Sequence, residues 1–372
     1  MPIMTIPRPL QIVMDDLGWF NGKDDRQSGG PSRTGAERKH CHKDYIAVNE
    51  LGKRLDMKIN CAFVLGEWDD DNRLASIKNL SKYKEGWDNA RYFDKDEAER
   101  CVRAINESEY IDMAIHGLLH GYYADGIDNV DESDYYYKVN KEQFTVCESE
   151  IRARLDAFLD LVKHHGINKN INSFVPPSFT YKRNDISRIL ADYGIEFIST
   201  IFKQLVCEGE RPEIADVENG IVSIDRNNNK VKWNGINEDP SALPVLNGIF
   251  GMHWPNILHT DPDRNIEAVE RWAEYFERCS REFGTILSKD IRFCASQSLF
   301  CRFAKIKEDR GITIVDISEV PTLSQTNREF YISSKEPLES YVGCDVYSYE
   351  QKDGFWTYRI VPITNVMRFD NV

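Results

Sequence analysis

The chain has 372 residues, enough for one large domain and an extra module. Its 47 basic and 61 acidic residues give a net charge of −14 with no basic stripe, which argues against a nucleic-acid partner. No apolar run approaches the roughly 18 residues that a membrane-spanning helix needs, so no membrane span is expected.

The first ten residues hold Arg8 but no apolar core or cleavage site, so no signal peptide is read there. Nine cysteines, an odd number without a Cys-x-x-Cys pair, suggest reduced thiols and a cytoplasmic protein. His40-Cys41-His42 reads as a surface loop, because three adjacent residues rarely converge on one ion. The 18 Phe, 17 Tyr and 7 Trp are expected mainly in the core, and secondarily as walls of a sugar site.

Gln11 to Met14 is a short apolar run that stops at Asp15-Asp16, as a first core strand would. The polar loop from Asn21 to His42 is too long for a simple connection, which suggests a site cap. Asp44 to Leu55 has helical spacing, and Lys58 to Leu65 is strand-like. Asp94 to Glu107 predicts a helix, followed by a strand from Tyr110 that ends at His116. Lys141 to His165 predicts one long helix, with Ile151, Leu155, Leu159 and Val162 on one side.

Asn172 to Val175 is a strand stopped by Pro176-Pro177; a helix over Asp185 to Tyr193 and a strand over Phe197 to Thr200 follow. Glu208 to Pro244 reads as a polar region with a hairpin around Asn227-Asn228-Asn229. Gly248 to His253 is a buried strand, and Arg264 to Phe283 a strong helix. This alternation implies a mainly parallel α/β sheet or barrel over residues 1–310. From Ile312 onward, strands joined by turns predict a β-rich module over 311–372, with a hairpin turn at Lys352-Asp353-Gly354. The module would serve as a homo-oligomer interface or a lid.

Functional groups gather at the predicted strand ends, the face where α/β barrels carry their sites. Adjacent residues of an extended strand point to opposite sides, so Asp15 and Asp16 are expected to take different roles. His116-Gly-Leu-Leu-His120 is spaced i, i+4, so a helical turn would aim both imidazoles the same way. Two imidazoles and a carboxylate suit a divalent ion with open positions for water and substrate. Ser173-Phe-Val-Pro-Pro177 forms a stiff turn that could wall a pocket. His253, at the end of a late strand, and His259, in the following loop, are both candidate general acids.

The order IVMDDLGW, AIHGLLHGY, FVPPSF, IFGMHW resembles the NodB-like polysaccharide deacetylase family over Ile12 to Leu287. The resemblance implies a distorted, incomplete (β/α) barrel. It also implies Asp15 as catalytic base, Asp16, His116 and His120 as metal ligands, and His253 as catalytic acid, with His259 nearly as good a match. Leu17 stands where the family has glycine, and Gly117 where it has serine or threonine. Val175 replaces an arginine that orients the catalytic aspartate, and the sequence points to no substitute. The expected cofactor is one divalent ion, zinc above all. The expected reaction is hydrolysis of an N-acyl, chiefly N-acetyl, group from an amino sugar in surface-glycan biosynthesis, inside a site walled by Trp19, Trp68, Pro177 and Trp254. The alternatives are a catalytically silent sugar-binding protein on the same barrel and a hydrolase of a non-sugar amide.

Overall fold

The computed structural model describes residues 3–21, 38–128, 133–207, 209–227, 231–232, 234–309, 311–352 and 354–371. Seven parallel strands form its centre: β1 (Arg8–Leu17), β2 (Ile59–Val64), β3 (Ile111–Gly117), β4 (Ile171–Phe174), β5 (Phe197–Thr200), β6 (Ile221–Asn227) and β7 (Ile249–His253). Each pairs with the next in sequence, and β7 pairs back onto β1, so the sheet closes into a barrel. The ring has one strand fewer than the usual eight-stranded barrel. Around it run α1 (His42–Leu55), α2 (Lys95–Glu107), α3 (Glu148–His164), α4 (Asp185–Asp192) and α5 (Asn265–Ser280).

Strand alternation sorts side chains into two cores. Leu10, Ile12 and Met14 of β1 join the large cluster formed with the helices. Val13 belongs to a second cluster with Ala62, Ala114, Val175, Phe197, Val222 and Ile249, one or more from the region of every barrel strand. That interior core is completed by Ile291, Cys294, Ala295 and Leu299 of a sixth helix, α6 (Ile291–Phe303). Two residues beyond Val13, Ala114, Ile224 and Ile249 of this core stand Asp15, His116, Arg226 and Gly251 at the barrel mouth.

Three sequence-based expectations change. Residues from Lys141 to Val146 do not extend α3: Glu142–Thr145 pairs antiparallel with Tyr136–Val139 across Asn140 and Lys141, both at positive φ. α6 gave no sequence signal because residues 293–300 are buried on all sides, which leaves no polar stripe to create a helical period. The stretch read as a polar region with a hairpin around Asn227 contains β6, which forms a hairpin with Ala215–Glu218 through Asn219-Gly220. The hairpin turn placed at Asn227 to Asn229, the one at Asp353, and most of the loop from Asn21 to His42 involve residues outside those described.

The C-terminal region is β-rich, in two four-stranded antiparallel sheets. One contains Phe330–Ser334, Phe355–Pro362, Cys344–Lys352 and the N-terminal Met4–Thr5; the other contains Lys305–Asp309, Ile312–Asp316, Val366–Asn371 and Leu338–Val342. Their shared core includes Met4, Val315, Ile332, Ile360, Met367 and Phe369, packed against Phe300 of α6. This module therefore takes in strands from both sides of residue 310. No helix among the described residues is long and apolar enough to cross a membrane.

Candidate active site

Asp15 and Asp16 reach the barrel mouth together because the end of β1 is bulged. β1 pairs with β2 at Met14–Cys61 and resumes at Leu17–Phe63, so one extra residue is fitted on the β1 side. Asp16 takes the left-handed conformation, φ +68°, while Asp15 stays in register opposite His253 of β7. Simple alternation would have sent the two carboxylates apart; the bulge re-aims one of them. A second register shift lies at His116, between the Phe63–Ile115 and Val64–Gly117 pairs.

The two histidines of the HxxxH motif are not on a helical turn. His116 is still in β3, and the chain bends tightly to His120 at φ +51°. Nε2 of His120 lies 2.9 Å and Nε2 of His116 3.7 Å from Oδ1 of Asp16. Their ligand atoms all fall within 4.8 Å of one another. Nδ1 of His116 lies 2.7 Å from the Val175 carbonyl oxygen, which can only accept, so Nδ1 carries the proton. Nδ1 of His120 faces Oδ2 of Asp134 at 3.4 Å, which has the same consequence. Both rings therefore turn Nε2 toward Asp16, the arrangement in which outer acceptors fix metal-binding imidazoles.

Oδ2 of Asp16 is buried and has no hydrogen-bond partner among the described residues. A bare carboxylate oxygen facing two oriented imidazoles fits a divalent ion better than it fits a sealed core. Charge agrees. Burial alone would raise the pKa of Asp16, but the hydrogen bond from His120 and the charges of His120, His253 and His116 hold it well below the usual carboxylate range. Burial likewise opposes charge on His120, yet hydrogen bonds to Asp134 and Asp16 push it up to about 10. Burial and then the neighbouring His120 push His116 down. Asp16, His116 and His120 thus form a small buried cluster in which positive charge beside Asp16 is favoured.

Asp15 is compensated differently. Arg226, near the end of β6, donates from Nη1 to Oδ1 at 3.0 Å and from Nη2 to Oδ2 at 2.9 Å. The pair is buried, and the guanidinium lies 4.4 Å from the centre of the Phe179 ring. Phe179 is delivered by the turn after Pro176-Pro177, where Ser178 and Phe179 both have positive φ. A Cβ at Gly251 would stand 2.0 Å from Nη2 of Arg226, so glycine at the middle of β7 leaves room for the guanidinium. Sequence reading missed Arg226 because it took that stretch for a polar region with a hairpin turn beginning at Asn227, and not for a barrel strand. The apolar residues Ile221, Val222 and Ile224 just before Arg226 were the available signal.

The remaining predicted residues are placed as follows. His253 has Nε2 4.0 Å from Oδ2 of Asp16 and is partly exposed. His259 lies in the next loop, where its Nδ1 accepts from the backbone N–H of Asp261. Trp19 packs edge-on against the His120 ring, at 6.0 Å, and is buried. Trp68 is buried as well, with its indole N–H donated to the Gly18 carbonyl, and Trp254 is stacked on His40 at 3.8 Å. Both are core residues rather than exposed walls, and Pro177 is buried too. His40 is not on a surface loop: it is buried between Trp254 and Asp44, to which its Nδ1 approaches within 3.0 Å.

No protein-family model and no curated protein matches the chain. Among solved structures, a family 4 carbohydrate esterase from Streptomyces lividans in complex with acetate aligns at 12% identity, covering 73% of this chain and 88% of that one, with a TM-score of 0.31. A mutant described as a CE4 family pseudoenzyme aligns at 12% identity over 78% of this chain and 68% of its own, with a TM-score of 0.38. A GH57-type branching enzyme from Pyrococcus horikoshii aligns at 13% identity over 74% of this chain and 58% of its own, with a TM-score of 0.38. Likeness at this level assigns neither a family nor an activity.

Proposed function

We propose that the protein is a metal-dependent hydrolase that removes an N-acyl group, chiefly N-acetyl, from an amino sugar. One observation carries this reading: the Asp16, His116, His120 cluster shares one barrel mouth with an arginine-held carboxylate, Asp15, and with an imidazole, His253. A divalent ion held by Asp16, His116 and His120 would supply Lewis acidity to an amide carbonyl and make water a better nucleophile; zinc suits two imidazoles and one carboxylate.

The chain's own groups complete the chemistry. Asp15 accepts the proton of the attacking water. Arg226 grips both oxygens of Asp15 in the planar fork that suits a carboxylate, so the base has one orientation. His253 donates a proton to the leaving nitrogen as the C–N bond breaks, and the products are a carboxylate and a free amine. Its partial exposure leaves room for a substrate to reach it. Trp19, against His120, keeps that side of the metal ligands dry and strengthens charge interactions within the mouth.

The substrate fitting this reading is a sugar or sugar conjugate, such as a nucleotide- or lipid-linked amino sugar made for a surface glycan in the cytoplasm. The nine free thiols agree with a reducing compartment. Val175 stands where the resemblance expects an arginine, a departure that favours a silent barrel; Arg226, which brings a cation to Asp15 from another strand, favours catalysis instead.

The test is a screen of the zinc-loaded protein against N-acetylated and N-formylated amino sugars beside simple N-acyl amides, scored by carboxylate release. Release from the sugars is the expected result. Release from simple amides alone overturns the sugar, and no release from any compound by a protein with bound zinc leaves the silent barrel.

A further inference from the structure

Gly117 and Asp134 make a pair that the reaction above does not explain. Gly117 follows the first histidine of the cluster directly, at the end of β3. Asp134 lies 17 positions later, beyond residues outside those described, and its side chain is fully buried. A Cβ added at Gly117 would stand 2.1 Å from Oδ2 of Asp134 and 3.4 Å from Nδ1 of His120. The space next to His120 that a side chain at 117 would fill is therefore already filled by the carboxylate.

That carboxylate has few other attachments. Oδ2 faces Nδ1 of His120 at 3.4 Å, and Oδ1 is buried without a hydrogen-bond partner among the described residues. A buried, half-satisfied carboxylate is costly unless a cation stands beside it. His116 is supported differently: its Nδ1 is met by the neutral carbonyl of Val175. Among the described residues, His120 is the one of the two imidazoles whose Nδ1 faces a carboxylate. A carboxylate behind an imidazole fixes its tautomer and raises the donor strength of the opposite nitrogen.

We infer that Asp134 is the positioning residue that orients His120 and strengthens its Nε2 as a metal ligand, and that Gly117 is present to admit it. The inference rests on the metal reading of Asp16, His116 and His120. It assigns Asp134 no contact with substrate.

The test measures zinc affinity by competition with a chromophoric chelator, together with the absorption spectrum of the cobalt-loaded protein. The proteins compared are wild type, Asp134→Ala, Asp134→Asn, Gly117→Ala and the Gly117→Ala/Asp134→Ala double variant, with His116→Ala as reference. Asp134→Ala is expected to lose about 10- to 100-fold in zinc affinity and to shift the cobalt spectrum. Asp134→Asn, which keeps an acceptor but not the charge, should fall between it and wild type. Gly117→Ala should weaken zinc binding in wild type but much less in the Asp134→Ala background, since the clash it creates is gone; backbone strain at 117 is common to both comparisons and cancels.

If Asp134→Ala does not fold, the Asp134→Asn protein decides by the same two readouts. Zinc affinity within about twofold of wild type in the Asp134 variants, with an unchanged cobalt spectrum, overturns the inference while the metal site stands. Failure of wild type itself to bind zinc, with His116→Ala indistinguishable from it, overturns the metal reading and the inference with it.

Discussion

Asp15 and Asp16 are neighbours in the chain, both are buried, and the same barrel mouth receives them, yet the molecule treats them in opposite ways. Asp15 is saturated by a permanent cation, with both oxygens taken by Arg226. Asp16 is surrounded by groups whose charge can change, three imidazoles, and one of its oxygens has no hydrogen-bond partner among the described residues. A carboxylate locked in a planar fork has a fixed direction, which suits a base that must meet a water from one side. A carboxylate left with a bare oxygen is suited to an ion. One bulged residue at a strand end thus divides two identical side chains into two roles.

The sharpest way to break that contrast is to remove the ion half. Asp16→Ala and His116→Ala are each expected to abolish metal binding and turnover together, as read by elemental analysis and carboxylate release. Retained metal in both variants would show that the ion is held elsewhere.

Asp15→Asn tests the base half. It should keep its metal content while kcat falls by about 10²- to 10⁴-fold, the usual worth of a general base. Loss of metal in Asp15→Asn would erase the distinction between the two carboxylates. Arg226→Met should keep metal also and lose roughly tenfold less than Asp15→Asn, because the base remains but is no longer aimed. Gly251→Ala works on the same pair from behind, by pressing a methyl group into the guanidinium, and about a tenfold loss in kcat with unchanged metal is expected. A Gly251→Ala protein as active as wild type would mean that the Arg226–Asp15 geometry tolerates displacement.

A third buried carboxylate serves as the control. Asp44 is gripped by Arg38 at 2.8 Å and by His40 at 3.0 Å, neither of which has a part in the proposed reaction. Burial would raise its pKa, but the hydrogen bonds of His40 and Arg38 hold it well below the ordinary 3.8. Its folded pKa is thus below the unfolded one, so its contribution to stability is present above about pH 4 and is lost as the pH falls further. Asp44→Asn should cost about 3 kcal/mol at neutral pH, lessen the acid sensitivity of unfolding and leave metal content unchanged. Urea melts at pH 7 and pH 3 check this, and an equal cost at both values would show that the charge of Asp44 is not what stabilises.

Much of the architecture was legible where it depends on local pattern. Apolar runs ending in Asp15-Asp16, His116 and His253 marked three barrel strands, because a buried strand in a parallel sheet writes a continuous apolar run and stops at its functional end. What failed depended on contacts between distant residues. The bulge that re-aims Asp16 is fixed by pairing with Phe63, and nothing near Asp16 announces it. Arg226 lies 211 positions from Asp15 in a stretch whose Asn and Asp residues hid a strand. Aromatic side chains misled in the other direction: Trp68 and Trp254 each follow the end of a barrel strand but are spent on packing. Gly117, read from sequence only as a departure, has a spatial cause in Asp134.

The short strand Met4–Thr5 has a bearing on how the protein is made. It pairs with Phe330–Ser334, and one edge of the adjoining β1 pairs with Ile249–His253, so these two strands each have a partner hundreds of residues later in the chain. The ring cannot close while the ribosome is still adding its second half. Contacts of such long sequence separation demand loop closure before they reward it, which slows folding. Until then β1, which has β2 on one side, keeps its other edge open in a growing chain, and the protection of that edge falls to whatever holds nascent polypeptides apart.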